Sequence, residues 1–158
     1  MAISSQRWIF SAALAILLLA ACAGIRPDSE NHTVAKERRI DLEFGEPQTG
    51  TWQGRHVTVE YRYNIEGAGM AIDGRVVFPR KKLIDTFDLE LNFTAADGTI
   101  LRTEVLASAP YRRMIQTLAF QRNLSLPEGA AAMVFSYSGV SRGIGEGAGS
   151  PHRFWQSP

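Results

Sequence analysis

From about residue 38 the chain alternates apolar and polar side chains with a period of two, the pattern of strands that bury one face. Ile40, Leu42 and Phe44 alternate with Arg39, Asp41 and Glu43. Val57, Val59, Tyr61, Tyr63 and Ile65 alternate with His56, Thr58, Glu60, Arg62 and Asn64. Glu66-Gly67-Ala68-Gly69 supplies a turn, because glycine reaches positive φ without steric cost. Met70, Ile72, Gly74, Val76 and Phe78 then return on a strand that Pro79 is expected to end.

Phe87, Leu89, Leu91 and Phe93 make the next strand, with Asp88, Glu90, Asn92 and Thr94 facing outward. The turn Ala96-Asp97-Gly98-Thr99 leads back into Leu101, Thr103 and Val105, expected inward, with Arg102 and Glu104 on the other face. Pro127-Glu128-Gly129 turns into a last strand with Met133, Phe135 and Tyr137 inward and Ser136 and Ser138 outward. Tyr111–Gln121 fits two patterns. Tyr111, Met114, Ile115, Leu118 and Ala119 have helical spacing, while Met114, Leu118 and Phe120 fit one face of a strand. Strand is favoured, because the neighbouring strands need a partner there. The expected fold is all-β, an antiparallel immunoglobulin-like β-sandwich of about seven strands over residues 38–141.

The first 37 residues do not share this alternation. Arg7 is followed by a run from Trp8 to Ala21 that only Ser11 interrupts, shorter than the roughly 20 apolar residues that span a bilayer comfortably. A basic start, a short apolar run and small residues at its end describe an export signal over residues 1–21. Residues 22–37 are polar and read as a tether, with one helical turn expected near Thr33–Arg39. Residues 142–158 form a tail, glycine-rich at Gly143, Gly145, Gly147 and Gly149 and ending in His152-Arg153-Phe154-Trp155-Gln156-Ser157-Pro158.

Leu19-Ala20-Ala21-Cys22 resembles the lipobox of bacterial lipoproteins at all four positions, and Cys22 is the only cysteine among 158 residues. The resemblance implies cleavage between Ala21 and Cys22, a diacylglyceryl group on the Cys22 thiol and an acyl chain such as palmitate on its amino group. Two or three such chains anchor a protein stably. The mature chain is then a domain on a lipid tether in the bacterial cell envelope. By the same resemblance, Ala23 in place of aspartate favours the outer membrane. Two looser resemblances concern the domain. Ile72–Gly139 is similar to the FxLYD-type and related immunoglobulin-like envelope domains in its Gly-Arg-Val-Val-Phe strand, its Phe87–Phe93 strand and its Asp97-Gly98 turn. It departs from them at Phe93-Thr94-Ala95-Ala96. Gly50-Thr51-Trp52 is similar to the Gly-x-Trp opening of lipocalins.

Charge and chemistry narrow the function classes. Seventeen Lys+Arg against sixteen Asp+Glu make no field for nucleic acid. His32, His56 and His152 lack the i, i+4 spacing of a helical zinc site, and His56 reads as an exposed strand residue. Phe-Ser-Tyr-Ser-Gly around Ser136 and Ser138 lacks the glycine that a nucleophile elbow places two residues before its serine. Asp88 and Glu90 share an outward face with no sign of a cleft. No catalytic, cofactor or metal set emerges. Arg80-Lys81-Lys82 and Arg112-Arg113 read as solvated basic loops.

Phe154 and Trp155 stand out in a polar terminus. Folding back onto the sandwich is the favoured reading, because an exposed Phe-Trp pair invites aggregation. A docking peptide that contacts a partner is the alternative. The expectation is a non-enzymatic, lipid-anchored structural or protein-interaction module. Its partners would be the membrane through Cys22 and an unidentified envelope protein. The competing expectation is a lipocalin-like carrier of a small apolar ligand.

Overall fold

The computed structural model describes residues 33–110, 113–142 and 150–158. The expectations for the export signal, Ala21, Cys22, His32, Arg112 and the Gly143–Gly149 stretch lie outside them. The described chain is all-β and antiparallel. Its strands are β1 Ile40–Asp41, β2 Gln48–Gln53, β3 Thr58–Glu66, β4 Gly69–Thr94, β5 Ile100–Ala109, β6 Arg113–Ser125, β7 Ala132–Arg142 and β8 His152–Gln156. A 3-10 turn at Lys36–Arg38 precedes them, inside the stretch where a helical turn was expected.

One strand organises the rest. The first half of β4 runs between β3 and β6, from Gly69 to Val77. The second half runs between β7 and β5, up to Thr94. The eight strands form a single curled sheet in the order β1-β7-β4-β3-β2, with β5 and β6 along the other side of β4 and β8 beside β7. The two halves face each other as the layers of a sandwich. Their meeting surface is aromatic: ring centroids lie 5.2 Å apart for Tyr61 and Phe135, 5.1 Å for Phe78 and Phe87, and 5.7 Å for Trp52 and Phe135. Each such pair contributes about 0.5–1.5 kcal/mol beyond the area it buries. Val59, Ile72, Val76, Leu89, Leu91, Phe93 and Met133 fill the space between.

Several sequence expectations are corrected, and Asn92, Thr94 and Ser136, expected outward, are buried, with Asn92 Nδ2 donating to Ser136 Oγ at 2.8 Å. Pro79 does not end a strand, and Arg80-Lys81-Lys82 is not a loop, because β4 continues for 26 residues through them. The ladder to β6 breaks between Val77 and Lys82, so Pro79 sits where no donor is required of it. The inward set on β5 is reversed. Leu89 pairs with Ala107 and Glu90 with Val105, which leaves Leu106 as an extra residue. That bulge buries Leu106 and turns Val105 outward to 46% exposure, and a second register shift between Phe93 and Thr94 skips Leu101, which is 40% exposed. Phe44 is exposed as well, because β1 stops at Asp41 and the chain bends at Gly45, whose φ is +97°.

The segment Tyr111–Gln121 resolves as strand from Arg113 onward. The β3–β4 turn has Gly67 at φ +59° between the paired Glu66 and Gly69, as a two-residue hairpin with a primed turn demands. Two strands were not foreseen, β2 and β8, and both shape the surfaces that follow.

Candidate functional site

β8 adds to the edge of β7 with Phe154 opposite Gly139 and Trp155 opposite Ser138. Alternation then splits the two aromatics. Phe154 turns into the core, with its ring 5.7 Å from His56 and 6.1 Å from both Phe87 and Tyr137. Gly139 makes the room: a Cβ there would lie 2.6 Å from the Phe154 ring. Trp155 stays outside, 66% exposed. The tail therefore folds back through one of its aromatics and presents the other.

The β2–β3 connection wraps over this end of β8. Gly54 N–H donates to the Val57 carbonyl at 2.9 Å. Arg55 N–H donates to Gln156 Oε1 at 2.9 Å, and His56 N–H donates to the Tyr137 hydroxyl at 3.0 Å. On the far side the 3-10 turn places Arg38, whose Nη2 donates to the Ser157 carbonyl at 2.5 Å. Between these walls lies an open groove of about 740 Å³, lined by Arg38, Arg55, His56, Arg153, Phe154, Trp155, Gln156 and Ser157.

The groove is basic, and among the described residues it contains no carboxylate side chain. Lys82 adds a further cation behind it, with Nζ 5.3 Å from the Phe154 ring centroid. Burial, then the charges of Lys82 and Arg55, hold the His56 pKa below its ordinary value. Burial raises that of the Tyr137 hydroxyl. Among the described residues no ion pair joins Arg38, Arg55, Arg153 or Lys82 to a carboxylate, whereas Arg62, Arg75, Arg102 and Arg142 pair with Asp73, Glu60, Glu104 and Asp85. Two carboxylates share the outer face of the sheet with Trp155. Asp88 accepts from Ser108 at 2.5 Å and Glu90 from Ser136 at 3.0 Å.

A larger groove, about 880 Å³, crosses β3, β4 and β6 above Gly74. Its charges are Glu60, Arg62, Asp73 and Arg75, and these cancel in the two cross-strand pairs just named. It offers a ligand little that the flanking ion pairs have not already taken. Among the described residues no three His, Cys, Asp or Glu side chains converge to hold a metal ion.

The second surface is the open side of β2. β2 pairs with β3 and with no other strand among the described residues. Side chains, not a ladder, close the gap toward β7 and β1. Trp52 packs on Phe135 and Tyr137, and the Tyr63 hydroxyl accepts from Glu43 N–H at 3.1 Å. The other edges are guarded by charge or by brevity. β5 carries Arg102 and Glu104 and a bulge, β6 carries Arg113 and Arg122, β8 has five residues with Arg153, and β1 has two. The β2 sequence Gln-Thr-Gly-Thr-Trp-Gln has neither charge nor proline.

Of the residues singled out from sequence, Ala21 and Cys22 lie outside the described chain, and Phe154 and Trp155 lie at the groove on opposite faces of β8. His56 was missed. It is not an exposed strand residue but a half-buried member of the β2–β3 connection, bound to Tyr137. No local signal marks the groove, since Arg38 and Ser157 are 119 positions apart. No family model, no curated protein and no solved structure matches this chain.

Proposed function

We propose that this chain is a lipid-anchored protein of the bacterial cell envelope, non-enzymatic, that joins an assembly by accepting a strand of a protein partner along β2. The observation that carries the reading is the contrast between sheet edges: among the described residues, β2 alone of the edge strands longer than two residues is uncharged and free of proline. Proteins ordinarily blunt such an edge with lysine, proline or a bulge, because unpaired N–H and C=O groups template pairing with another chain. An edge left open serves strand addition, in which main-chain hydrogen bonds give affinity and alternate side chains give selectivity. The envelope setting comes from Leu19-Ala20-Ala21-Cys22.

A photo-reactive amino acid at Thr51, exposed on β2, tests the reading in cells. The same group at Thr103, exposed on the guarded β5 edge, is the comparison. A discrete protein adduct from Thr51 and none from Thr103 supports strand addition. Thr49→Lys, two residues from the probe on the same exposed face of β2, should abolish that adduct with stability held within about 0.5 kcal/mol. Equal adducts at both edges would sink the idea. The anchor is tested separately: Cys22→Ser should remain uncut and take up no fatty-acid probe.

A further inference from the structure

We propose that the groove between Arg55 and Trp155 seats the phosphate of anionic phospholipid headgroups, so that the domain lies down on the membrane it is tethered to. The presence of that membrane rests on the lipid-anchor reading above. The chemistry of the groove does not.

Three observations converge. The first is charge: Arg38, Arg55 and Arg153 meet in one groove with no carboxylate side chain, while four other arginines of the same domain are each paired with one. A guanidinium offers five N–H donors in a planar fork that matches phosphate oxygens. Arg38 has spent one on the Ser157 carbonyl, which steadies it and leaves the rest of the fork.

The second is Trp155. An exposed indole beside cations has the apolar body and polar N–H that sit well at the headgroup level of a bilayer. Its backbone is held in register by β7, and the Phe154 ring on the opposite face of β8 is locked in the core. The groove therefore presents tryptophan and arginine from one rigid strand.

The third is position. Thr33 bridges to Thr99, and Val34 N–H donates to the Gly98 carbonyl, so the tether joins the domain there and Arg38 follows within one turn. Whatever its conformation, the segment from Cys22 to His32 reaches no farther than about 40 Å. A groove held that close to a bilayer meets headgroups at high effective concentration, so weak contacts suffice. Lys82 stands behind the groove and adds to its positive field without blocking it.

The test uses the mature lipoprotein in vesicles of phosphatidylcholine alone and in vesicles with phosphatidylglycerol added, each doped with lipid brominated near the headgroup. Tryptophan quenching should be several-fold greater with phosphatidylglycerol. Trp155→Phe should remove the difference, because Trp52 stays packed on Phe135. In the Cys22→Ser chain expressed without residues 1–21, which has neither lipid nor export signal to mask the contact, partition into anionic vesicles should fall about fivefold for each charge removed in Arg55→Gln and Arg153→Gln, and should weaken in high salt. Arg55 and Arg153 are exposed, so both variants should melt as the parent does. Equal quenching in the two vesicles, or partition indifferent to both substitutions, overturns the proposal. So does salt-sensitive binding of an acidic peptide with no preference for phosphatidylglycerol. Failure of the mature chain to float with phosphatidylcholine vesicles counts against the anchor alone, since the Cys22→Ser measurement still reads the groove.

Discussion

The Tyr137 hydroxyl lies 2.9 Å from His56 Nδ1 and also accepts the His56 backbone N–H at 3.0 Å. The same hydroxyl lies 3.5 Å from Gln156 Oε1, a second acceptor for its single proton, so His56 Nδ1 can stand as donor or acceptor in this contact. Burial, Lys82 and Arg55 hold the His56 pKa below the ordinary 6.5, which favours the neutral imidazole. Arg38 and Arg153 also line the groove, and Asp88 and Glu90 lie on the outer face of the sheet with Trp155.

The sign of the pH dependence follows. In the unfolded chain His56 takes its proton near 6.5, whereas in the folded domain it resists protonation to lower pH. Between those values the unfolded state binds more protons, so stability is whole above pH 6.5 and falls as pH drops below it. Thermal melts from pH 7.5 to 5.0 should show this decline. His56→Gln should flatten it, and an unchanged slope would remove His56 as its source.

The two tail aromatics should behave oppositely. Phe154 is buried among Phe87, Tyr137 and His56, and Phe154→Ala should cost about 3–5 kcal/mol in denaturant melts. Trp155→Ala should stay within about 0.5 kcal/mol of the parent.

Gly74 and Gly50 flank Tyr61 in one row across β2, β3 and β4, yet they should not respond alike. A Cβ at Gly74 would meet the Glu60 carbonyl oxygen at 2.2 Å and the Phe120 ring at 2.8 Å. Backbone cannot step aside, so Gly74→Ala should cost at least the 1–3 kcal/mol usual for overpacking. At Gly50 the obstacle is the far end of Tyr61, 2.3 Å away at its hydroxyl, which can swing. Gly50→Ala should be the milder of the two in the same melts.

The β5 bulge makes a third contrast. Leu106 is fully buried and Val105 is 46% exposed. Leu106→Asp should prevent folding, because it places an unpaired charge in the core. Val105→Asp should fold, and circular dichroism of both distinguishes this register from strict alternation along β5.

The strands visible in the sequence were those with large apolar side chains every second residue: β3, both halves of β4, and β7. β2 was hidden because Trp52 is the one large apolar side chain in its six residues, and β8 because five residues beyond a glycine-rich stretch show too little alternation to be read. The bulge at Leu106 leaves no mark on local composition, since an extra residue changes facing without changing the run of side chains. The groove was illegible for a different reason. Arg38, Arg55 and Arg153 belong to a 3-10 turn, a connection and a terminal strand, and only the pairing of β8 with β7 brings them together.

One edge of β7 is occupied twice. β1 takes Met133 and Ala132, β8 takes Tyr137 to Ser141, and so the two ends of the domain lie along the same strand with Arg38 touching Ser157. The order in which the strands are encoded is therefore not dictated by the architecture they build. A short linker could seal that junction and the chain be reopened at Gly67-Ala68, giving a circularly permuted domain with the same sheet.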